Sequence, residues 1–187
     1  MFAKFLVSGV VTGLLLSATV GLAPAAAQDP ALVSDSSFIR MAGSLGLLQQ
    51  KLGKLAQERA ASEAVKDFGK QMEADYSKVN DELATAAKQA AFPSPILVRE
   101  HKKQFDRFYR MSGSSFDKDY MAQTVKYQDE EVRLYEQQAK GGRVASLKQL
   151  AESKLPTVQQ RLAQSKQTAG AVGANVTAST AEAKQGT

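Results

Sequence analysis

Cysteine and tryptophan are both absent from this chain, and 187 residues contain a single histidine, His101. Without cysteine there is no disulfide scaffold, disulfide-linked partner, thiolate metal site, thiol nucleophile or lipidated-cysteine anchor. With one imidazole, a histidine-rich metal centre and a Ser-His arrangement both lose their basis. Only Asp, Glu, His101 and water remain as metal donors. Proline is scarce, no stretch shows the alternation of a strand, and no glycine-rich loop follows one to cradle a phosphate. The expectation is therefore a protein without catalytic residues and without a cofactor.

The N-terminal segment reads as a leader. Lys4 precedes an apolar stretch from Phe5 to about Ala23, and Pro24-Ala25-Ala26-Ala27 supplies a small-x-small exit. This order is that of a secretory signal peptide, residues 1–27, cut after Ala27 and leaving a periplasmic or secreted protein. An uncleaved anchor is the competing reading, since Phe5–Ala23 is nearly long enough to span a bilayer. Thr12, Ser17, Thr19 and interspersed glycines dilute it. Cleavage takes the formal net charge from +5 to +4. For an exported basic chain the expected partners are anionic envelope components such as anionic lipid, lipopolysaccharide or wall polymer, and not nucleic acid.

Residues 168–187 are almost entirely Ala, Gly, Ser, Thr, Gln and Asn, with Val172 and Val176 the larger apolar side chains. Such a composition buries too little surface to offset its ordering entropy, so a disordered low-complexity tail is expected there. The folded domain is then 34–167, and it reads as helix throughout. Asp35-Ser36-Ser37 offers an N-cap to a stripe of Phe38, Ala42, Leu45, Leu48, Leu52, Leu55 and Ala56. Gly43, Gly46 and Gly53 weaken this helix, so a closely approaching neighbour is predicted.

Ser62 is placed to cap a second helix carrying Val65, Phe68, Met72, Tyr76, Val79, Leu83, Ala86 and Ala90, which Phe92-Pro93-Ser94-Pro95 ends. A short third helix follows from about Leu97 to Met111. Ser115 is expected to cap a fourth with Phe116, Tyr120, Val125, Gln128, Val132, Tyr135 and Ala139 along one side, closed by Gly141-Gly142. The last runs from about Val144 to Gln167, with Pro156 inside it as a kink. The fold class is all-α: an up-down four-helix bundle with one extra short helix.

The stretches Leu52-Gly53-Lys54-Leu55-Ala56, Ala64-Val65-Lys66-Asp67-Phe68, Met111-Ser112-Gly113, Phe116-Asp117-Lys118-Asp119-Tyr120 and Leu155-Pro156-Thr157 resemble a large bacterial family of exported proteins. It is the domain-of-unknown-function family 4142, whose members are often labelled outer membrane proteins. The resemblance covers about Phe38 to Gln164 and implies a ferritin-like bundle without an established reaction. It also implies where a metal would sit: a Glu on the first helix, Asp-His on the second and fourth, His on the last. Here those positions hold Gln49, Asp75-Tyr76, Tyr127-Gln128 and Arg161. Every imidazole is replaced and the Glu is an amide, so the metal site is expected to be degenerate.

If that register holds, Gln49, Tyr76, Gln128 and Arg161 converge, either as a hydrogen-bonded polar layer or around a small anion at Arg161. His101, flanked by cations, reads as a structural residue at a helix surface. Asp129-Glu130-Glu131 reads as a solvated face, with Glu131 the member nearest the apolar stripe. On the third helix Arg99, Lys103, Arg107 and Arg110 fall near one face and His101, Phe105 and Phe108 on another, a helix that packs by aromatics and presents cations.

Three function classes follow. The first is an exported helical-bundle protein with a structural, stress-related or interaction role. The second is an envelope-binding module using the basic third helix. A ferritin-like metal protein is the third, and it lacks its ligands.

Overall fold

The computed structural model describes residues 30–176, with side chains from Asp35 onward. The expected leader, 1–27, and residues 177–187 of the expected tail lie outside the described residues. Five helices and no strand occur among the described residues: α1 (Pro30–Arg59), α2 (Glu63–Gln89), α3 (Arg99–Tyr109), α4 (Gly113–Gly141) and α5 (Ala145–Ala171). None is long and apolar enough to cross a membrane.

Buried positions on the long helices alternate in steps of three and four, the seam spacing of helices packed at a shallow angle. On α1 they include Phe38, Ala42, Leu45, Gln49, Leu52 and Ala56; on α4, Asp117, Met121, Thr124, Gln128, Glu131, Tyr135 and Gln138. The main packing partners are α1 with α2, α4 with α5, α1 with α4, and α2 with α5, while α3 lies on α1. Successive elements reverse direction. With α3 running back along α1, α2 and α4 therefore point the same way.

Glycines set the closest approach. A Cβ on Gly53 would stand 2.7 Å from the Gly69 carbonyl oxygen, and one on Gly69 would stand 2.7 Å from that of Gly53. A Cβ on Gly43 would meet Pro95 at 2.3 Å, and one on Gly46 would meet Asn80 Oδ1 at 2.2 Å. Close approach by a neighbouring helix thus accounts for Gly46, Gly53 and also Gly69, which the stripe did not single out, whereas Gly43 makes room for Pro95 in the segment between α2 and α3.

The helix ends differ from the sequence reading in an instructive way, because the capping groups come from other helices. Asp35 does not cap its own helix, which begins earlier, at Pro30. It is buried, takes a hydrogen bond from Gln138 Nε2, and accepts the backbone N–H groups of Arg143 (3.2 Å) and Val144 (3.1 Å) at the start of α5. Ser62 occupies the N-cap position of α2 without a side-chain cap; buried Asp117 on α4 instead accepts the N–H groups of Ala61 (3.0 Å) and Ser62 (2.8 Å).

Ser44 on α1 serves α3 in the same manner, accepting the Val98 N–H at 2.8 Å. Ser115 lies inside α4, its hydroxyl donating to the Ser112 carbonyl. At the far end α5 continues through Ala171, and Ala169 and Ala174 are buried, so residues 168–174 belong to the fold and not to a disordered tail. Alanine carries little side-chain entropy to lose, and its small volume suits a closely packed helix end.

Candidate functional site

The apolar interior falls into two clusters. One gathers around Leu48, Leu52, Met72, Phe108, Phe116 and Tyr120, the other around Phe38, Leu83, Tyr135, Leu147 and Val158. Among their buried members the first ends along α4 at Tyr127 and the second begins at Tyr135, and along α5 Val158 and Ala169 bracket the same level, where half-buried Val132, Leu134 and Leu162 lie. Glu131 and Arg161 occupy that level, exposed by only 1% and 4%.

Tyr76, fully buried on α2, donates its phenol hydrogen to Glu131 Oε2 at 2.5 Å. Arg161 Nη2 lies 3.6 Å from Glu131 Oε1, and its guanidinium sits 4.4 Å from the centre of the Tyr76 ring. Gln128, one turn before Glu131, directs its Nε2 toward Met72 Sδ at 3.6 Å. Gln49 lies on α1 between Gly46, which faces Tyr76 and Asn80, and Gly53, which faces Gly69 and Met72. That register sets it level with the same layer. Gln49 Nε2, Gln128 Oε1, Glu131 Oε1 and the three guanidinium nitrogens of Arg161 make no hydrogen bond with any described residue.

The electrostatics follow from burial. Loss of solvent pushes the Glu131 carboxyl above its usual range, and Arg161 and the Tyr76 hydroxyl offset part of that rise. Burial, reinforced by the carboxylate of Glu131, raises Tyr76 well above an ordinary phenol. For Arg161 burial opposes the charge, but Tyr76, Glu131, Tyr135 and Asp75 outweigh it and hold the guanidinium protonated. The layer is thus an internal ion pair with an aromatic face and a phenol donor.

Other sequence candidates lie elsewhere. Tyr127 turns its ring edge-to-face toward His101, centroids 6.2 Å apart, and burial pushes its hydroxyl up to about 12. Asp75 is half-buried at the margin, within electrostatic reach of Arg161. His101 is buried and not at the surface: its Nδ1 meets the Ser44 hydroxyl at 2.6 Å, and burial lowers its pKa against the effect of Ser44 and Glu100. Arg99, Lys103, Arg107 and Arg110 are exposed on α3, Phe108 is buried beneath them and Phe105 half-buried.

Glu131 corrects the reading of Asp129-Glu130-Glu131 as a solvated face. Asp129 pairs with exposed Arg133, but Glu131 is the centre of the buried layer. The signal that finds it is the three-four spacing through Thr124, Gln128, Glu131, Tyr135 and Gln138.

A ferritin-like metal centre would need carboxylates and imidazoles at this layer. The donors present are two amides, one phenol and one buried carboxylate, with a guanidinium already against that carboxylate. A divalent cation there would meet a fixed positive charge, so these residues do not fit the group. Among the described residues no three Asp, Glu or His side chains come together. A groove of about 590 Å³ between α2 and α5, lined by Glu82, Thr85, Gln149 and Ser153 among others, lies two turns or more along α5 from Arg161.

These features define an all-helical protein in which two apolar clusters meet across a buried charged layer. The family described as Domain of unknown function (DUF4142) matches over residues 21–168, most of the chain, and the chain belongs to that family. No curated protein and no solved structure matches it.

Proposed function

We propose that this chain is an exported helical-bundle protein, periplasmic or envelope-associated, with a structural, stress-related or interaction role and no enzymatic activity. The proposed architecture is a ferritin-like four-helix bundle of α1, α2, α4 and α5, with α3 inside one long crossover. Its support is the ring of helix contacts α1–α2–α5–α4–α1 and the three-four seam spacing. Export rests on the leader-like segment that ends at Ala25-x-Ala27.

The observation that carries the non-catalytic reading is the Arg161–Glu131–Tyr76 layer. A protein-borne cation lies against the one fully buried carboxylate of the layer, 3.6 Å away. The remaining polar groups are amides and a phenol that burial holds protonated, so the layer has neither a redox centre nor an available base. The experiment is purification from an exporting host, followed by intact-mass measurement and elemental analysis after dialysis against a mild chelator. The expected result is a chain beginning at Gln28 in the soluble periplasmic or secreted fraction, with no stoichiometric transition metal. A chain retaining Met1–Ala27, or iron, manganese or zinc at one or more equivalents, overturns the corresponding half of the proposal.

A further inference from the structure

The large hydrophobic side chains that stand exposed among the described residues are Ile96, Tyr109 and Val176, and the first two bracket α3. Ile96 is 71% exposed just before the helix, and Tyr109, its last residue, is 55% exposed. Between them lie about 16 Å of helix whose outward arc carries Arg99, Lys102, Lys103 and Arg107, with Arg110 immediately after it. His101 and Phe108 hold the opposite arc in the core.

Helix α1 extends the cationic surface. Lys51 lies 5.8 Å from the centre of the Phe105 ring and Arg59 5.3 Å from that of Tyr109, beside a groove of about 200 Å³ lined by Lys51, Lys54, Leu55, Glu58, Phe105 and Tyr109. A solvated charged helix needs no exposed apolar side chain at either end. Cations bracketed by an aliphatic and an aromatic anchor are instead what a helix lying flat on an anionic bilayer presents: the charges meet the headgroups while the anchors enter the interface.

We infer that α3, with the adjoining edge of α1, is a docking surface for an anionic phospholipid bilayer, with Ile96 and Tyr109 as its anchors and Arg99 and Arg110 as its principal charges. The inference rests on the export reading for its physiological setting. Lys102, Lys103 and Arg107 are lesser contributors because they are ion-paired with Asp106, Glu100 and Asp119. Charge complementarity selects the occupant: the α3 region from Ile96 to Met111 holds five cations against Glu100 and Asp106.

The test is vesicle co-sedimentation of the exported protein with equimolar phosphatidylglycerol–phosphatidylcholine and with pure phosphatidylcholine, at low and high salt. Binding to the anionic vesicles alone, lost at high salt, is expected. Arg99→Gln and Arg110→Gln together should lower the partition coefficient by about twenty-fivefold, from roughly fivefold per cation near the surface. Ile96→Ser with Tyr109→Ser should also weaken binding. Because the chain has no tryptophan, Ile96→Trp gives a clean reporter whose emission should shift to the blue on anionic vesicles alone.

Equal binding to both vesicle types, or none at low salt, overturns the proposal. So does binding that survives loss of both anchors while duplex DNA is held as tightly, which marks a generic polyanion surface. Should the double arginine variant fail to fold, the salt dependence and the Ile96→Trp emission of the otherwise unaltered chain decide the matter. Intact mass of the same sample reports leader cleavage separately, so failure of the docking surface and failure of the export reading are distinguishable.

Discussion

Replacing Arg161 by methionine isolates the energetics of the buried layer. The substitution keeps much of the aliphatic stem but removes the charge 3.6 Å from Glu131 and 4.4 Å from the Tyr76 ring. Removing one partner of a buried pair leaves the other uncompensated, at a cost of about 3–5 kcal/mol. For a domain near 150 residues this lowers Tm by roughly 6–20 °C, at 2–4 °C per kcal/mol.

The loss should depend on pH, and the sign follows from Glu131. Its folded-state pKa is raised by burial above the usual 4.5. A carboxyl with a raised folded pKa contributes stability that is present below its unfolded value and is lost as pH rises through the folded one. Arg161 limits that rise, so Arg161→Met lifts the folded value further and steepens the dependence. Relative to the parent, the variant should be most impaired at pH 8 and regain stability as the pH falls toward 5.

Urea denaturation followed by circular dichroism at both pH values measures the difference. Glu131→Gln combined with Arg161→Met removes the stranded charge and should recover most of the loss at pH 8. A deficit that is the same at pH 5 and pH 8, or a double variant as unstable as the sum of the singles, would refute the reasoning.

Asp117→Ala removes the cap of the Ala61 and Ser62 N–H groups and should cost about 0.5–2 kcal/mol, read as a lower urea midpoint. Amide exchange should quicken at the α1–α2 turn; unchanged protection of Ala61 and Ser62 would contradict the cap. Gly53→Ala should destabilise by about 1–3 kcal/mol despite its better helix propensity, because the new Cβ would sit 2.7 Å from a backbone oxygen. Gly170→Ala, with nothing within 4 Å of the added carbon, should stabilise by about 0.5–1 kcal/mol, and equal effects at the two positions would remove the close-approach argument.

The order of helices was legible because hydrophobic periodicity and Pro/Gly punctuation are local signals. The stripes of Phe38–Ala56 and Val65–Ala90 lie where the sequence placed them, and the proline run ends α2 as expected. Capping was not legible, for a physical reason. Asp35 and Ser115 lie inside their helices and Ser62 stands at a cap position without capping, because a side chain on a neighbouring helix can satisfy an orphan N–H equally well, and local sequence does not say which. Asp35 reaches 109 residues along the chain to Val144, and Asp117 reaches 55 back to Ser62. Glu131 was obscured in a different way: within Asp129-Glu130-Glu131 composition signals solvent, and only the seven-residue spacing from Thr124 and Gln138 sets it on the seam.

The buried polar groups share a logic that bears on function. Asp35 on α1 ties down the start of α5, and Asp117 on α4 ties down the start of α2, so each helical hairpin caps the other's turn. Midway between, Glu131 of α4 meets Tyr76 of α2 and Arg161 of α5. An apolar seam tolerates sliding by a heptad, because leucine and alanine fill equivalent holes. A charged side chain does not, since one heptad of slip would bury Glu131 against hydrocarbon and strand Arg161. Three polar fixtures at the two ends and the middle therefore fix the register of α4 against both hairpins. Arg161, whose guanidinium nitrogens make no hydrogen bond with any described residue, is held in this layer by the charge of Glu131 and the face of the Tyr76 ring. The surface proposed for docking lies outside this framework, where the cations of α3 stand between exposed Ile96 and Tyr109.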